Sequence, residues 1–408
     1  MDRCDGAWQG TGASPVYHGG DLAQARRRFP AAPEPWIDLS TGINPRPYRL
    51  PPLAAEAWTR LPEAAAVAEL EAIAADTFGV ADPGRVAATP GTQAAIQMLP
   101  HLLPGPRVAI LGFTYQEHAR VWREAGRSVT VVETMAELGR FDLGLVVNPN
   151  NPDGRLVPAA DLAAAARAMA AAGRTLIVDE AFVEVMDPDD GVASQLPAAG
   201  AIVLRSFGKT WGLAGVRLGF VVGAPDFAAA MRRAFGPWAV SGPAIAAGRA
   251  ALADHRWLAA TRTRLRRDAA RLDALLVAAG CRIRGGTPLF RFVEHDAATA
   301  LVDRLGAAGI HVRRFPHDDR VLRFGLPGTV AAWRRLASAL RPPSLDHASP
   351  DRTADDATST DPASCEPVSA TLPRAPDDRS HTALRARRTI VQQHSPGTSS
   401  PLRRHDGN

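Results

Sequence analysis

Lys209 is the only lysine in a chain that contains 47 lysine and arginine residues together, so arginine occupies every other such position. Arginine supplies charge and binds phosphate, but it does not lose its proton near neutral pH. A lysine amine does so once its pKa is lowered, and it then attacks carbonyl groups to form Schiff bases. Lys209 lies between Ser206 and Arg217 in the stretch SFGKTWGLAGVR. We expect a reactive, buried amine beside a hydroxyl and a guanidinium that bind a phosphate group.

Asp179 ends the apolar segment TLIVD, thirty residues before the lysine. A carboxylate buried at that point needs a partner, and a pyridinium nitrogen is one. Sites for pyridoxal phosphate use an Asp for this nitrogen and a Lys for the aldehyde. Further upstream, Gly91 and Thr92 start a helical segment, where backbone N–H groups and a hydroxyl form an anion site. The segment NPNNPDG, which includes Asn151, is also a typical turn sequence.

Short apolar runs alternate with Ala-rich helical segments over much of the chain, and this pattern predicts a mostly parallel, doubly wound α/β sheet. Ligands of such sheets lie at the carboxyl ends of the strands, which is where the unusual polar residues fall. The predicted strands of this sheet are Arg107–Leu111, Ser128–Val132, 143–148, Thr175–Asp179, Ala201–Ser206 and 217–222.

Four segments follow from the change of pattern along the chain. Residues 1–53 are interpreted as an N-terminal arm that contributes to the substrate pocket, and residues 54–236 as a large domain. Residues 237–341 combine long helices with short strands and predict a smaller α+β domain. Residues 342–408 are rich in Ser, Thr, Pro, Asp and Arg with few large apolar side chains, which predicts a disordered tail.

Composition argues against several classes of function. The net charge of +5 is modest, and the arginines are scattered along helical segments, so we expect no nucleic-acid partner. The cysteines Cys4, Cys281 and Cys365 lie far apart, which argues against a disulfide framework or a metal site. Neither an apolar leader nor a long apolar run is present, so we expect no membrane partner and a cytoplasmic location.

The ordered motifs PGTQ, FTYQEH, NPNNPDG, DEAF, SFGKTWGLAGVR and VLRFGLP resemble those of the fold type I, aminotransferase-like pyridoxal-phosphate enzymes, over roughly residues 37–340. The resemblance implies a homodimer with Lys209 as the Schiff-base lysine and Asp179 on the pyridine nitrogen. It further implies that Asn151 binds the ring hydroxyl, that Tyr115 stacks on the ring and that Arg323 receives the substrate carboxylate as a bidentate pair. The implied phosphate ligands are Gly91, Thr92, Gln93, Ser206 and Arg217.

Two positions depart from the aminotransferase pattern. Phe182 stands in DEAF where these enzymes usually carry Tyr, so a hydroxyl near the cofactor ring is missing. Leu61-Pro62 stands where many of them have Tyr-Pro, which puts a phosphate contact from the partner subunit in doubt.

The segments HGG, WIDLSTGINP, RLPEAAAVAEL and TYQEHARVW resemble the cobalamin-pathway threonine-phosphate decarboxylases. This implies conversion of L-threonine O-3-phosphate to (R)-1-amino-2-propanol O-2-phosphate and CO2, the product being the linker of the cobalamin nucleotide loop. Such a substrate has two anionic ends, which suits a pair of arginines in one small domain. The residues that we expect around the substrate are His18, Gly42, Asn44, Arg313 and Arg323.

Several alternatives stay open at the level of sequence. A histidinol-phosphate aminotransferase shares the motifs, and motif residues alone do not separate decarboxylation from transamination. A non-catalytic pyridoxal-phosphate regulator or an inactive scaffold are further hypotheses, which the lack of a helix-turn-helix pattern and the retained sole lysine argue against. His18 as a surface loop residue, Tyr115 as a core aromatic and Arg313 or Arg323 as ordinary strand residues are the simpler interpretations.

Overall fold

The computed structural model describes residues 19–196 and 199–341, and the predicted roles of His18 and of the tail 342–408 lie outside these residues. Within the described residues the chain forms two β-sheets flanked by helices. The strands are β1 (Ile37–Leu39), β2 (Val86–Thr89), β3 (Arg107–Leu111), β4 (Ser128–Val132), β5 (Leu143–Val147), β6 (Thr175–Asp179), β7 (Ala201–Ser206), β8 (Gly219–Val222), β9 (Arg282–Thr287), β10 (Phe290–Glu294), β11 (Ile310–Phe315) and β12 (Asp318–Gly325).

The α-helices connect these strands and differ widely in length. They are α1 (Leu22–Arg28), α2 (Glu56–Thr59), α3 (Ala64–Thr77), α4 (Thr92–Leu102), α5 (Gln116–Glu124), α6 (Met135–Leu138), α7 (Ala159–Ala171), α8 (Phe207–Thr210), α9 (Pro225–Phe235), α10 (Gly242–Leu252), α11 (His255–Ala278), α12 (Ala298–Ala307) and α13 (Val330–Leu340). The longest helix, α11, begins where the Asp254 side chain accepts a hydrogen bond from the backbone N–H of Trp257, which satisfies one open donor of the first turn.

The larger sheet has seven strands in the order β2-β8-β7-β6-β5-β3-β4. The pairs from β7 to β4 are parallel, and β8 runs antiparallel to both of its neighbours. This confirms the predicted mostly parallel, doubly wound α/β sheet. Its central strands are buried on both faces and therefore consist of continuous apolar runs rather than an alternating pattern.

Neighbouring residues of one strand point into different hydrophobic clusters, one on each face of this sheet. On β6, Val178 packs in the cluster formed with α3, α7 and α10, whereas Ile177 packs in the cluster formed with α4, α5 and α9. The two buried faces hold the sheet rigidly from both sides. The carboxyl ends of β5, β6 and β7 thereby become a fixed platform for the polar residues that follow them.

The smaller sheet has five strands in the order β1-β11-β12-β10-β9, with a core shared with α11, α12 and α13. Its first strand comes from the segment interpreted as an arm: β1 pairs in parallel with β11, with Asp38 opposite His311. The sequence did not predict this strand, because three residues among prolines and glycines are too few to show a period. Leu39 is nonetheless buried in the core of the small sheet.

The division into domains at residues 54–236 and 237–341 stays a prediction. Among the described residues, no helix combines the length and the apolar character that crossing a membrane requires.

Candidate active site

A cavity of about 310 Å³ lies where the ends of β6 and β7 face β11 and β12. It brings together residues that are far apart in the chain, and Ser40, Thr41 and Phe182 also contribute to its wall. The predicted site residues that line it are Gly42, Gly91, Thr92, Gln93, Tyr115, Asn151, Asp179, Ser206, Lys209, Arg217, Arg313 and Arg323.

Lys209 lies in the short helix α8, directly after β7, and its side chain reaches into the cavity. The Nζ atom is 5.7 Å from the centre of the Phe182 ring. Burial, and then the positive charge of Arg323, lower the pKa of this amine to about 8, with Asp179 opposing the shift and Arg217 adding to it. An appreciable fraction of the amine is therefore unprotonated near neutral pH, as attack on an aldehyde requires.

Asp179 is the last residue of β6, and it is 3% exposed. Its Oδ1 accepts a hydrogen bond from the Ala181 backbone N–H at 3.1 Å, and its Oδ2 lies 2.9 Å from Nε2 of His118. His118 is fully buried on α5, three residues after Tyr115, and sequence reasoning did not single it out. With the imidazole proton on Nε2, the Asp179 carboxyl group accepts two hydrogen bonds and also lines the cavity.

The start of α4 and the Arg217 side chain form a cradle for an anion. Gly91, just before the helix, has a φ of +87°, and a Cβ atom there would lie 2.6 Å from Nη2 of Arg217. On β8, a Cβ at Gly219 would lie 2.6 Å from the Thr92 nitrogen. Glycine at both positions therefore keeps the first helical N–H groups, the guanidinium and the Ser206 hydroxyl open to one small group. Such a donor set fits a phosphate dianion.

Tyr115 and Gln93 belong to a chain of hydrogen bonds at the mouth of this cradle. The Tyr115 hydroxyl donates to Oε1 of Gln93 at 2.9 Å, and Nε2 of Gln93 donates to Glu117 at 3.1 Å. Burial, and then the negative charge of Glu117, raise the pKa of the Tyr115 phenol, so it stays protonated. The Gln93 side chain thus positions Tyr115. The predicted phosphate contact of Gln93 is therefore left to the backbone N–H of Gln93.

Two arginines of the small sheet meet in the cavity, because Arg313 of β11 pairs in register with Arg323 of β12. Arg323 donates from Nη1 to Oδ1 of Asn151 at 2.5 Å and from Nη2 to the Ser40 carbonyl at 2.9 Å. Its Nε is buried with no hydrogen-bond partner among the described residues. Burial, and then Arg313, lower the pKa of the Arg323 guanidinium to about 9. The buried guanidinium of Arg323 beside the partly buried one of Arg313 makes this side of the cavity positively charged, which suits an anionic ligand.

An apolar wall closes the side of the cavity next to the amine. The rings of Phe182 and Phe290 meet edge to face with centres 5.2 Å apart, and Arg323 lies over the Phe290 ring at 5.0 Å. A Cβ at Gly42 would lie 2.9 Å from Phe290 and 3.0 Å from Phe182, so glycine lets this loop approach the wall. Because Phe182 has no hydroxyl, this wall shields the Lys209 amine from water but offers it no hydrogen bond.

A buried ion cluster lies next to the strand ends and was not predicted from the sequence. Arg205 of β7 contacts Glu180 at 2.9 Å and Glu184 at 3.0 Å. Burial raises the pKa of Glu180 to about 7 although Arg205 opposes the shift. Because breaking a buried ion pair is strongly unfavourable, the cluster ties the end of β6 to that of β7, and so Asp179 to the turn of Lys209.

Asn44 is not among the residues that line the cavity. Its side chain is buried against the backbone of the Lys209 turn, with Nδ2 donating to the Thr210 carbonyl at 2.8 Å.

Comparisons with known proteins agree with this geometry. Residues 35–340 match the family "Aminotransferase class I and II". The chain is 45% identical to a threonine-phosphate decarboxylase of Sinorhizobium sp over 335 residues, covering 80% of this chain and 98% of the relative. A threonine-phosphate decarboxylase of Pseudomonas aeruginosa is 42% identical over 328 residues, with 80% and 97% covered. The histidinol-phosphate aminotransferase of Sinorhizobium meliloti, solved in complex with pyridoxal-5'-phosphate, shares the fold at a TM-score of 0.65 and 23% identity, with 80% and 94% covered.

Proposed function

This chain belongs to the class I and II aminotransferase family, and we propose that it is a pyridoxal-phosphate-dependent threonine-phosphate decarboxylase. It converts L-threonine O-3-phosphate to (R)-1-amino-2-propanol O-2-phosphate and CO2, a reaction of cobalamin biosynthesis. The observation that carries the proposal is the pair Arg313 and Arg323, which faces the amine of Lys209 across one buried cavity. The sequence identity to two threonine-phosphate decarboxylases supports the same reaction.

The cavity fits the cofactor in three places. The α4 start with Arg217 and Ser206 would hold its phosphate, Asp179 its pyridine nitrogen, and Lys209 its aldehyde carbon. Pyridoxal phosphate, when bound, supplies an electron sink for negative charge that develops at the α-carbon of the substrate. The Asp179 carboxylate would favour this, because a negative charge beside the pyridine nitrogen stabilises a positive charge there.

The two arginines suit a substrate with two anionic ends. Arg323 is held by Asn151 and Ser40, and its Nε has no hydrogen-bond partner in the described part of the chain. The guanidinium is therefore oriented before a ligand arrives and can receive a carboxylate. Arg313 stands beside it and receives the phosphate. Lys209 holds a proton with a pKa of about 8, which suits the proton transfer that replaces the departing carboxylate.

The test compares two reactions on the holoenzyme. With L-threonine O-3-phosphate and no keto acid, we expect CO2 and aminopropanol phosphate over many turnovers. In a parallel sample with L-histidinol phosphate and 2-oxoglutarate, we expect no glutamate. Glutamate formation without CO2 release in the first sample would overturn the decarboxylase proposal in favour of the aminotransferase alternative.

We propose further that the enzyme is a homodimer whose subunits cover an exposed apolar surface. Trp58, Leu61 and Trp238 are 69%, 66% and 58% exposed. A largely apolar cavity of about 530 Å³, lined by Val67 and Phe235 among others, lies beside Trp238. Exposed aromatic side chains next to such a depression are typical of a protein interface.

Light scattering measures the mass of the dimer directly against the chain mass of 43.2 kDa. The substitution Trp238→Glu should shift the protein toward monomer. Val330→Glu is the matched control, because Val330 is 66% exposed at the start of α13, and it should leave the mass unchanged. A wild-type protein with the mass of a single chain would contradict the dimer. We place the enzyme in the cytoplasm, which cell fractionation tests.

A further inference from the structure

Asn44 is 2% exposed and contacts the turn that carries Lys209 from outside the cavity. Its backbone N–H donates to the Lys209 carbonyl at 2.9 Å, and its side-chain Nδ2 donates to the Thr210 carbonyl at 2.8 Å. One residue therefore binds two consecutive carbonyl groups of the turn. One bond orients the peptide that links Lys209 to Thr210, and the other orients the peptide that links Thr210 to Trp211.

The other side of the Asn44 amide is also satisfied. Its Oδ1 accepts from the Arg46 backbone N–H at 3.0 Å and from Nη2 of Arg264, on α11, at 3.3 Å. Because Oδ1 faces two N–H donors and Nδ2 faces a carbonyl oxygen, only one orientation of the Asn44 amide satisfies all of these hydrogen bonds. Asn44 thus connects the Lys209 turn to α11.

The contact between the segment that follows Asn44 and the Lys209 turn extends beyond Asn44 itself. The Tyr48 backbone N–H donates to the Trp211 carbonyl at 2.8 Å. Gly212 has a φ of +67°, and a Cβ there would lie 2.6 Å from the Asn44 carbonyl oxygen. Residues 44–48 therefore lie against residues 209–212 at backbone distance, which only glycine at position 212 permits.

Helix α10 binds a side chain from each of these two segments, residues 44–48 and residues 209–212. Nε1 of Trp211 donates to the Ala251 carbonyl at 3.0 Å, and the Tyr48 hydroxyl donates to the Ala250 carbonyl at 3.2 Å. The turn of Lys209 is thus enclosed between residues 44–48 and α10. Asn44 is the member of this enclosure that binds the backbone of Lys209 itself.

We propose that Asn44 is a positioning residue for Lys209, which keeps the lysine backbone fixed so that the amine stays buried in the cavity. The inference rests on the proposed function only in that Lys209 is taken as the reactive amine. Asn44 touches neither substrate nor cofactor in this account.

Loss of the Asn44 contacts should change the titration of the amine. The charged groups that face Lys209 are Asp179 on β6, Arg323 on β12 and Arg217 after α8, and burial is the largest cause of its lowered pKa. A looser turn admits water to the amine. Its pKa then rises toward the ordinary value of 10.5.

The sole lysine makes this titration measurable in the cofactor-free protein. The protein is first acetylated with trace acetic anhydride at each pH from 6 to 11, and is then denatured and labelled completely with the isotopically heavy reagent. The ratio of light to heavy acetyl groups on Lys209, measured in the tryptic peptide of residues 206–217, gives the unprotonated fraction of the amine at each pH. We expect a midpoint of about 8 for the wild type. For Asn44→Ala we expect a midpoint higher by about one pH unit, and for the milder Asn44→Ser a smaller rise in the same direction.

Thr77→Val is the matched control, because the Thr77 hydroxyl bonds the carbonyls of Ile73 and Leu252 without contact to the Lys209 turn. It should lower the melting temperature and leave the midpoint at the wild-type value. Asn44 variants that fold and keep the wild-type midpoint would overturn the inference while leaving the proposed function intact. A wild-type midpoint near 10.5 would instead contradict the reactive amine on which both rest.

Discussion

Replacing Lys209 by methionine should make the cofactor-free protein more stable at neutral pH. The lysine is held in a cavity whose burial and positive neighbours oppose the charged form of its amine. Methionine keeps most of the apolar stem and carries no charge. The variant therefore loses the reactive group together with the cost of burying it, which is the exchange of stability for function expected at an active site.

The magnitude follows from the shift of the pKa from 10.5 to about 8. Each pH unit corresponds to about 1.4 kcal/mol, so the cost of the charged amine in the folded state is at most roughly 3.5 kcal/mol. A base with a lowered pKa binds its proton less tightly in the folded state than in the unfolded state. Below pH 8 both states are protonated and the full cost is present. Between pH 8 and 10.5 the folded state has released the proton, so the wild type gains stability as the pH rises.

Urea unfolding of both cofactor-free proteins between pH 7 and 10 checks this dependence, since groups outside the cavity titrate alike in the two. We expect Lys209→Met to be more stable by about 2–3 kcal/mol at pH 7, with the difference becoming smaller through pH 8 to 10. A variant no more stable than the wild type at pH 7, or a difference that does not change with pH, would refute the reasoning.

Three further substitutions test other parts of the site. Arg323→Lys keeps the charge but loses the planar fork, so kcat/KM for L-threonine O-3-phosphate should fall about 10- to 150-fold in steady-state assays. Asp179→Ala removes the anion expected on the pyridine nitrogen, and equilibrium dialysis should show the cofactor bound about tenfold or more weakly. Phe182→Tyr adds a hydroxyl to a wall that is 3% exposed, and urea unfolding should show a loss of about 1–3 kcal/mol.

Each of these has an outcome that contradicts its premise. For Arg323→Lys the control is Arg284→Lys, an exposed arginine of β9 paired with Glu294, and equal effects of the two would argue against carboxylate binding by Arg323. Unchanged cofactor affinity in Asp179→Ala would remove Asp179 from the cofactor site. An equally stable Phe182→Tyr would mean that the new hydroxyl finds a partner, so the wall is not apolar.

Much of the large sheet was predictable because its signals are local. Buried parallel strands are continuous apolar runs, and the boundaries of β3, β6 and β7 follow directly from them. Polar residues at the ends of such strands must meet at one edge of the sheet. The positions of Lys209 and Asp179 after two such strands, together with the chemistry of pyridoxal-phosphate sites, therefore predicted that they share one site.

The contacts that orient these residues were not predictable in the same way. His118 reaches Asp179 across 61 residues, and Asn44 reaches Thr210 across 166. Neither pair leaves a periodic trace in the sequence, because each depends on how separate elements pack. Gly42 and Asn44 were both expected to line the pocket. Gly42 does so, whereas the Asn44 side chain binds the Thr210 carbonyl outside the cavity.

The most direct test of the account uses L-threonine O-3-phosphate labelled with carbon-13 in its carboxyl group. Carbon-13 NMR follows the label during turnover by the holoenzyme without a keto acid. We expect one labelled CO2 or bicarbonate for each aminopropanol phosphate formed, and no labelled 2-oxo acid. Label that stays in a 2-oxo acid, or a substrate that is not consumed, would contradict the claim that this cavity decarboxylates a phosphorylated amino acid.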